Sequence, residues 1–573
     1  MKRKFYILSL VVAAAATVFS TSSCVKDLDA YPHNEDDYSS ETAYGDKYES
    51  YIAGLAHCYR SFNNCMDLQV DDQGSSELVR AYFNIQEVSA DGCKSAAVAD
   101  SWVLDMDKNT WTADNNAASY AIYCRCINGI SFVNEYLRQT TDDRLERRGC
   151  DKDLVGKVHE LRCEARFIRA YLYYILIDVF GDVPFITEES DFGAVSPKME
   201  TRTNVFNYIE SELKDLVSAE SPMQEARTSY PRVDKGSAWG LLSRLYLNAQ
   251  VLTSTVDASG KVTSKGAARW EDCKKACEEV FKSGYALCSN YSDMFRGDNG
   301  ENPDVTQEFL FAVDYDELAM NSWGGTAYFS EGCFQLKDDV DENGKPLYSL
   351  GLADGWASIR MPYEYARDYF GVTIPADGYN ADGSYTGKYN YTDKRAACFF
   401  IRGHYEQMTD LSEFGRGWSF YKYNNIPHNV SREDFASTAA RYYGWMAKCG
   451  IDAPMIRLGE IYLTYAEACI ESGAAAKGLP YLNAIRQRAG LEALSSYTLK
   501  DVQKERAAEL AWESLRRSDL IRWGLYNTSD YLWKWKGGSY DGQAFPEYKL
   551  VFDFPPSELT ANENLSHKPG YVE

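Results

Sequence analysis

Apolar residues recur at helical spacing along much of the chain. Nine segments carry apolar side chains at positions i, i+3, i+4 and i+7, a period that predicts amphipathic helices. These segments are 43–62, 117–138, 154–180, 203–218, 234–252, 268–284, 455–472, 477–489 and 500–524. In the third of them, Leu161, Ile168 and Leu172 lie on one stripe, and Gly181 marks the end of the helix. The pattern therefore predicts a mainly α-helical protein.

Two pairs of these segments resemble helical hairpins of the tetratricopeptide type. They are 234–252 with 268–284, and 455–472 with 477–489. Residues 66–116 and 285–450 differ, since they are rich in Gly, Asn, Asp, Tyr and Trp and show little sustained periodicity. Loops of that length in a compact protein are usually functional or poorly ordered, and the aromatic residues favour function. We expect a tetratricopeptide-like helical scaffold that carries long aromatic-rich loops.

The N-terminus has the features of a bacterial export signal. Basic residues 2–4 precede an apolar stretch from Phe5 to Phe19, and small residues 21–23 stand directly before Cys24. Small residues before a cysteine resemble a lipobox, so we predict a lipoprotein signal peptide over 1–23 and a lipid on Cys24. A lipidated tether (24–40) and the body (41–573) follow. The alternative is an ordinary signal peptide in which the cysteine is incidental.

Charge excludes one large class of partners. The chain has 573 residues, of which 60 are basic and 84 acidic, and its formal net charge is −24. Nucleic acids require clustered Lys and Arg, so we predict no nucleic-acid partner. Aromatic residues make up 14% of the chain, more than a core usually needs, and the surplus is available for binding.

Several motifs resemble the SusD/RagB family. Two of these motifs lie in the N-terminal half of the chain, namely Arg162-x-Glu164-Ala165-Arg166 and Phe180-Gly181-Asp182-Val183-Pro184. Those further on are Arg457-Leu458-x-Glu460, Tyr465-Ala466-Glu467-Ala468, Arg486-x-Arg488-Ala489-Gly490, Glu505-Arg506-x2-Glu509-Leu510-x2-Glu513 and Arg516-x2-Asp519-Leu520-x-Arg522. The family's starch-binding members are the most similar, for example at Tyr531-Leu532-Trp533-Lys534-Trp535-Lys536. Most charged residues of these motifs lie on predicted helices, where we expect them to form ion pairs between packed helices.

This resemblance implies a function and an architecture. Family members are cell-surface lipoproteins of the outer membrane that bind glycan and cap a SusC-type TonB-dependent transporter. The resemblance also implies an N-terminal SusD-like part over about 41–230 and a C-terminal SusD/RagB part over about 285–573. The ligand is then a neutral oligosaccharide or polysaccharide, starch-like or of another kind. A peptide-binding, RagB-like uptake lipoprotein is the alternative.

The resemblance further implies which residues contact the sugar. Ligand contacts in the starch-binding members come from an early loop and two later aromatic positions, which correspond here to Trp323 and Trp356. Trp and Tyr rings cover the apolar faces of a pyranose while their polar edges stay wet. In the early loop, Arg80 is similar to the family's arginine. For each tryptophan, the alternative is a residue that anchors the core of a loop.

The early loop also departs from the family pattern. Lys94-Ser95-Ala96-Ala97 stands where an aromatic pair is expected after Cys93. Trp102 is a candidate substitute for the missing aromatic surface, and Asp100 is a candidate polar contact. The departure weakens the expectation of starch as the ligand.

The remaining candidate chemistry concerns calcium and catalysis. Asp298 and Glu301 lie in an acidic turn whose oxygen ligands suit calcium, although a solvated turn is the simpler interpretation and no cofactor is required. The six histidines form no HExxH motif, and no GxSxG or GxGxxG sequence occurs. We predict that the protein is not an enzyme, and a glycoside hydrolase, which needs only two carboxylates, is much less favoured.

Overall fold

In the computed structural model, helices make up about half of the described residues and strands contribute little, which confirms a mainly α-helical fold. The structure describes residues 43–64, 76–97, 101–115, 117–190, 196–316, 324–333, 355, 357–383, 386, 388–401, 407–431 and 449–572. Within these ranges, no helix is both long and apolar enough to cross a membrane. The cysteines in the same ranges are free thiols, and most are buried, as expected for small apolar residues.

The helices follow the predicted segments closely. In chain order they are α1 Tyr48–Tyr59, α2 Leu78–Phe83, α3 Ser101–Lys108, α4 Ala117–Gln139, α5 Asp142–Arg147, α6 Lys152–Phe180, α7 Arg202–Leu216, α8 Lys235–Leu247, α9 Ala249–Leu252, α10 Trp270–Lys282, α11 Pro303–Thr306, α12 Gly325–Glu331, α13 Tyr363–Phe370, α14 Leu458–Glu471, α15 Ala475–Arg488, α16 Leu499–Glu509, α17 Arg516–Arg522 and α18 Pro556–Ala561. The short helices α2, α3, α11, α12 and α13 lie inside the regions predicted as loops, because one or two turns show no sustained period.

The strands form two-stranded antiparallel ladders. They are β1 Lys94–Ser95, β2 Val183–Pro184, β3 Met199–Glu200, β4 Thr255–Val256, β5 Val262–Ser264, β6 Phe309–Val313, β7 Ile359–Arg360, β8 Phe399–Ile401, β9 Trp418–Phe420 and β10 Ala453–Arg457. The pairs are β1 with β7, β2 with β3, β4 with β5, β6 with β10, and β8 with β9. Two of these ladders, β1 with β7 and β6 with β10, join segments that lie more than 100 residues apart in the chain.

The helical pairs pack as the hairpin pattern predicts. Helix α8 packs on α10, α14 packs on α15, and α10 also packs on α14, so the two hairpins form one helical layer. Helix α6, with 29 residues, is the longest helix in the described part of the chain and runs through the core. Its N-terminus is capped by Asp151, whose side chain accepts a hydrogen bond of 2.8 Å from Leu154 N, and it ends at Gly181, where φ is 72°.

One predicted helix is wrong. The apolar period favours a single helix over 500–524, but α16 ends at Glu509 and α17 begins only at Arg516. Between them, Trp512 and Ser514 have φ values of 62° and 61°, which are left-handed and cannot continue a right-handed helix.

The break has a physical cause in side chains from distant segments. The carbonyl of Glu509 accepts hydrogen bonds from Tyr291 Oη at 2.9 Å and from Arg457 Nη2 at 2.8 Å. The carbonyl of Ala511 accepts one from Lys422 Nζ at 2.8 Å. Because these buried donors hydrogen-bond the two carbonyls, neither of those backbone acceptors is left unpaired where the helix ends.

Buried ion pairs tie the elements together, as expected for the charged motif residues. Glu509, which is fully buried, meets Arg395 Nη1 at 2.8 Å, Arg457 Nη1 at 2.6 Å and the guanidinium of Arg488. Burial alone would raise the pKa of Glu509, but Arg488, Arg457 and Arg395 outweigh it and lower the pKa to about 2. Four separate segments of the chain thus meet at one carboxylate.

Further ion pairs of the motif residues join other elements of the scaffold, and one of them, Arg522 with Asp519, lies within α17. They are Arg522 with Glu467 at 2.7 Å, Arg522 with Asp519 at 2.8 Å, Arg516 with Asp91 at 2.7 Å, and Arg166 with Glu212 at 2.9 Å. The expectation that these residues hold the scaffold together is confirmed.

Candidate functional site

Arg80, in the early segment, is buried and contacts Tyr328 of a later segment. Arg80 lies in α2, all of whose residues are buried, and its side chain is 8% exposed. Its guanidinium lies 4.1 Å from the centre of the Tyr328 ring, a cation–π contact. The hydroxyl of Tyr328 donates a hydrogen bond of 3.2 Å to Asn84 Oδ1. Arg80 therefore joins the early segment to α12, which carries Tyr328.

A pair of glycines makes a second contact between these segments. Gly324 and Gly325 begin α12, directly after the predicted site residue Trp323, and Gly325 has a φ of 47°. A Cβ on either glycine would overlap the side chain of Glu77, and one on Gly325 would also overlap the hydroxyl of Tyr315. Only glycine allows the backbone to approach Glu77 this closely. Glu77 directly precedes α2, the helix that carries Arg80.

Strands β1 and β7 tie the early loop to the second later segment. Lys94 pairs with Arg360, Ser95 pairs with Ile359, and the backbone N–H of Ala96 donates to the Ser358 carbonyl at 2.6 Å. Strand β1 ends just before Asp100 and Trp102, and β7 begins just after Trp356.

The two later segments are also joined directly to each other. The N–H of Ile359 donates to the Gly332 carbonyl at 2.7 Å, which connects β7 to the end of α12. The described residues that flank all three predicted ligand-contact segments are therefore held together by backbone hydrogen bonds.

The residues that replace the expected aromatic pair are structural. Lys94 is fully buried, and its ammonium donates to the carbonyls of Val88, Ala90 and Asp107 at 3.0, 2.8 and 3.0 Å. Burial lowers the pKa of Lys94, although Asp107 acts in the opposite direction. Ser95 and Ala96 are buried too, so residues 94–96 offer no surface on which a sugar ring could stack.

Trp102 lies at the start of α3 and is 7% exposed, as part of the main hydrophobic core. This placement fits the alternative interpretation, a residue that anchors a loop, better than an open stacking surface. Asp100, Trp323 and Trp356 lie outside the described residues, as does Cys24, and their assigned roles stay predictions.

The acidic turn has partners within the protein. Asp298 Oδ1 accepts a hydrogen bond of 2.9 Å from the backbone of His428, and Asp298 Oδ2 lies 2.6 Å from His428 Nδ1. Glu301 is exposed. In the part of the chain that the structure describes, no three His, Cys, Asp or Glu side chains are grouped so as to hold a metal ion. Calcium binding at Asp298 and Glu301 stays a prediction.

The sequence analysis missed an aromatic cluster around a cavity. A cavity of about 170 Å³ is lined by Tyr365 and Tyr369 of α13 and by Tyr531 and Trp533. The hydroxyl of Tyr531 donates to the Asp91 carboxylate, and the Tyr369 and Tyr531 hydroxyls are 2.9 Å apart. The alternation of aromatic residues and lysines after position 530 was the available signal. Tyr365 and Trp533 are only 3% and 8% exposed, and the Tyr365 hydroxyl donates to the Ala507 carbonyl at 2.8 Å, so these rings anchor the surrounding segments rather than offer an open stacking surface.

Comparison with known proteins identifies the family. Residues 66–247 match the family model described as "Starch-binding associating with outer membrane", and residues 307–571 match the SusD family model. The starch-binding protein SusD of Bacteroides thetaiotaomicron is 28% identical over the full length of both chains. A SusD-like protein of Bacteroides ovatus is 24% identical, covering 63% of this chain and 59% of its own. The chain belongs to the SusD family.

Solved structures agree on the fold. Surface glycan-binding protein A of Bacteroides thetaiotaomicron, in complex with laminarihexaose, superposes with a TM-score of 0.62 at 17% identity, over 91% of this chain and 99% of that one. A SusD-like carbohydrate-binding protein of Bacteroides fragilis gives a TM-score of 0.66 at 18% identity, over 91% and 99% of the two chains.

Proposed function

We propose that this protein is a cell-surface, lipid-anchored glycan-binding protein that captures a neutral oligosaccharide or polysaccharide and delivers it to a SusC-type TonB-dependent transporter. The observation that carries the proposal is the joining of three loop segments by the Arg80–Tyr328 contact, the Gly324–Gly325 approach to Glu77 and the β1–β7 ladder. The full-length similarity to a starch-binding protein supports it.

The proposed binding surface is an aromatic platform. Trp323 and Trp356 cover the apolar faces of successive sugar rings, and polar side chains nearby hydrogen-bond the ring hydroxyls. Arg80 joins the early segment to the segment that follows Trp323 in the chain, through its contact with Tyr328. Because Lys94 is a buried structural residue, the platform lacks the early-loop aromatic pair, and a neutral glycan other than starch is a suitable ligand.

Calorimetric titration of the soluble chain (residues 25–573) tests the platform. The panel contains starch, maltooligosaccharides and laminarioligosaccharides, as well as peptides for the alternative RagB-like function. We expect binding of one glycan class and at least about a tenfold loss of affinity in Trp323→Ala and in Trp356→Ala, since stacked aromatic residues contribute more than 1 kcal/mol. Phe132→Ala is the matched control, because Phe132 is an aromatic residue that is 38% exposed and lies on α4.

The same titration can contradict the proposal. Unchanged affinity in both tryptophan variants would move the site elsewhere, and binding of peptides without glycans would favour the alternative function. Chromatography of the glycan after incubation checks for hydrolysis, and we expect its chain length to be unchanged.

The anchor and the transporter are tested in cells. We expect Cys24→Ala to release the protein from the outer-membrane fraction, whereas the unaltered chain stays in that fraction and is accessible to surface proteolysis. Affinity purification of the unaltered chain from solubilised outer membranes should recover a TonB-dependent transporter. Recovery of Cys24→Ala in the membrane fraction would contradict the lipid anchor.

A further inference from the structure

A cavity of about 340 Å³ on another part of the molecule has an unexpected lining. Five of its lining residues are basic, and none of the described residues that line it is acidic. The basic residues are Arg296, Lys394, Arg395, Lys422 and Arg488. The chain as a whole is acidic, with a formal net charge of −24, so a cavity whose charged lining residues are all basic differs from its average composition. We call this space the basic cavity.

Part of this charge is balanced by carboxylates that do not line the cavity. Arg395 pairs with Glu505 at 2.7 Å, and Lys422 contacts Glu513. Arg488 contacts Glu308 at 2.6 Å as well as Glu509. The acidic groups therefore lie behind the basic ones, and the basic groups separate them from the cavity. An anion that enters would meet donors first.

Two donors of the lining remain available. The ammonium of Lys394, an exposed residue, has no acceptor among the described residues. Arg488 has a side chain only 6% exposed, and its Nε–H is buried with no hydrogen-bond acceptor in the described part of the chain. A buried donor without an acceptor destabilises the fold, and a bound acceptor would remove that cost.

The position of Lys394 is fixed by its surroundings. Its backbone N–H donates to the Ala489 carbonyl at 2.9 Å, directly beyond Arg488. Its methylene carbons cross Gly490 so closely that a Cβ there would lie 2.8–3.0 Å from three of them. The stem is thus held against the backbone beside Arg488, and less entropy is lost when the ammonium binds a ligand.

We propose that the basic cavity binds an oxyanion, either the carboxylate of an acidic sugar or a free inorganic anion. Lys394 and Arg488 donate charge-assisted hydrogen bonds to its oxygens. This site binds anions, whereas the aromatic platform binds a neutral glycan, and it does not depend on that platform. The protein would then hold two classes of ligand at separate places.

Calorimetric titration of the soluble chain at low ionic strength tests this. The probes are sodium glucuronate, glucose as its neutral counterpart, and inorganic phosphate and sulfate, in a buffer free of other oxyanions. We expect glucuronate or the inorganic anions to bind and glucose not to bind at this site. Lys394→Gln should weaken anion binding at least about tenfold, and Lys394→Arg should restore most of it. Lys265→Gln is the charge-matched control, because Lys265 is an exposed lysine directly after β5 and does not line the basic cavity.

Each outcome decides something. Glucuronate binding without phosphate or sulfate binding supports an acidic sugar as the ligand, and binding of inorganic anions supports a free oxyanion. Absence of binding by every anion would overturn the proposal, as would equal losses in Lys394→Gln and Lys265→Gln. Since Lys394 is exposed, its variants should fold, which circular dichroism checks. Failure of the aromatic platform would leave this result unaffected, because the two titrations use different variants.

Discussion

Glu509 is the shared partner of three buried arginines, and its replacement by glutamine tests whether the ion network stabilises the fold. Glutamine has the same shape and keeps one acceptor oxygen, so packing is conserved while the negative charge is lost. Arg395, Arg457 and Arg488 would then face one another with one carboxylate fewer. We expect a large loss of stability, because an uncompensated charge in the interior is costly.

The pKa of Glu509 allows the magnitude to be worked out. Its surroundings lower that pKa from 4.5 to about 2. At about 1.4 kcal/mol for each pKa unit, the network favours the charged carboxylate by about 3 kcal/mol. Removal of one partner of a buried ion pair typically costs about 3–5 kcal/mol, which agrees. The expected change in the free energy of unfolding is therefore about 3 kcal/mol at pH 7.

The pH dependence follows from the direction of the pKa change. The folded-state pKa of Glu509 lies below the unfolded value of 4.5, so its stabilisation is complete above pH 4.5 and is lost as the pH falls towards 2. The difference between the unaltered chain and Glu509→Gln should shrink over the same interval.

Urea unfolding of residues 25–573, followed by far-ultraviolet circular dichroism, measures the effect. Glu220→Gln is the control, since Glu220 is exposed and its replacement should change stability by less than about 0.5 kcal/mol. The reasoning would be refuted if Glu509→Gln unfolded at the same urea concentration as Glu220→Gln. It would also be refuted if the difference stayed constant down to pH 2.

Two further predictions concern Gly325, at the start of α12, and the buried carboxyl of Glu87. Gly325→Ala should destabilise the chain by more than about 1 kcal/mol and weaken glycan binding. Gly473→Ala is the control and should cost less, because Gly473 also has a positive φ but has nothing within 4 Å of the added Cβ. Urea unfolding midpoints compare the stability of the two variants, and calorimetry compares their glycan affinity. Burial raises the pKa of Glu87 to about 7, so its contribution to stability is present below pH 4.5 and is lost as the pH rises through 7. Glu87→Gln should gain stability relative to the unaltered chain between pH 5 and 8, and equal pH profiles would contradict this.

The helical scaffold could be predicted because its signals are local. A 3.6-residue apolar period over three or more turns, ended by glycine as at Gly181, determines where a helix such as α6 lies. The charged motif residues could also be assigned to ion pairs, because arginines and glutamates on packed helices must find partners. These inferences needed no knowledge of which residues meet.

Non-local contacts explain what could not be predicted. The end of α16 depends on Tyr291 and Arg457, which lie more than fifty residues away in the chain and capture the Glu509 carbonyl. In the same way, nothing near Lys94 reveals that three carbonyls surround its ammonium. Side chains from four separate segments line the basic cavity, so no local sequence pattern predicts it.

The ladder of β1 and β7 has a consequence for the evolution of this protein. The ladder consists of two residue pairs, Lys94 with Arg360 and Ser95 with Ile359. These pairs hold the ends of the adjoining loops together. The entropy of closing a loop grows only with the logarithm of its length, so residues can be inserted or exchanged beyond the ladder at little cost to folding. Mutation can therefore change the length and composition of these loops repeatedly while the helices that support them stay the same.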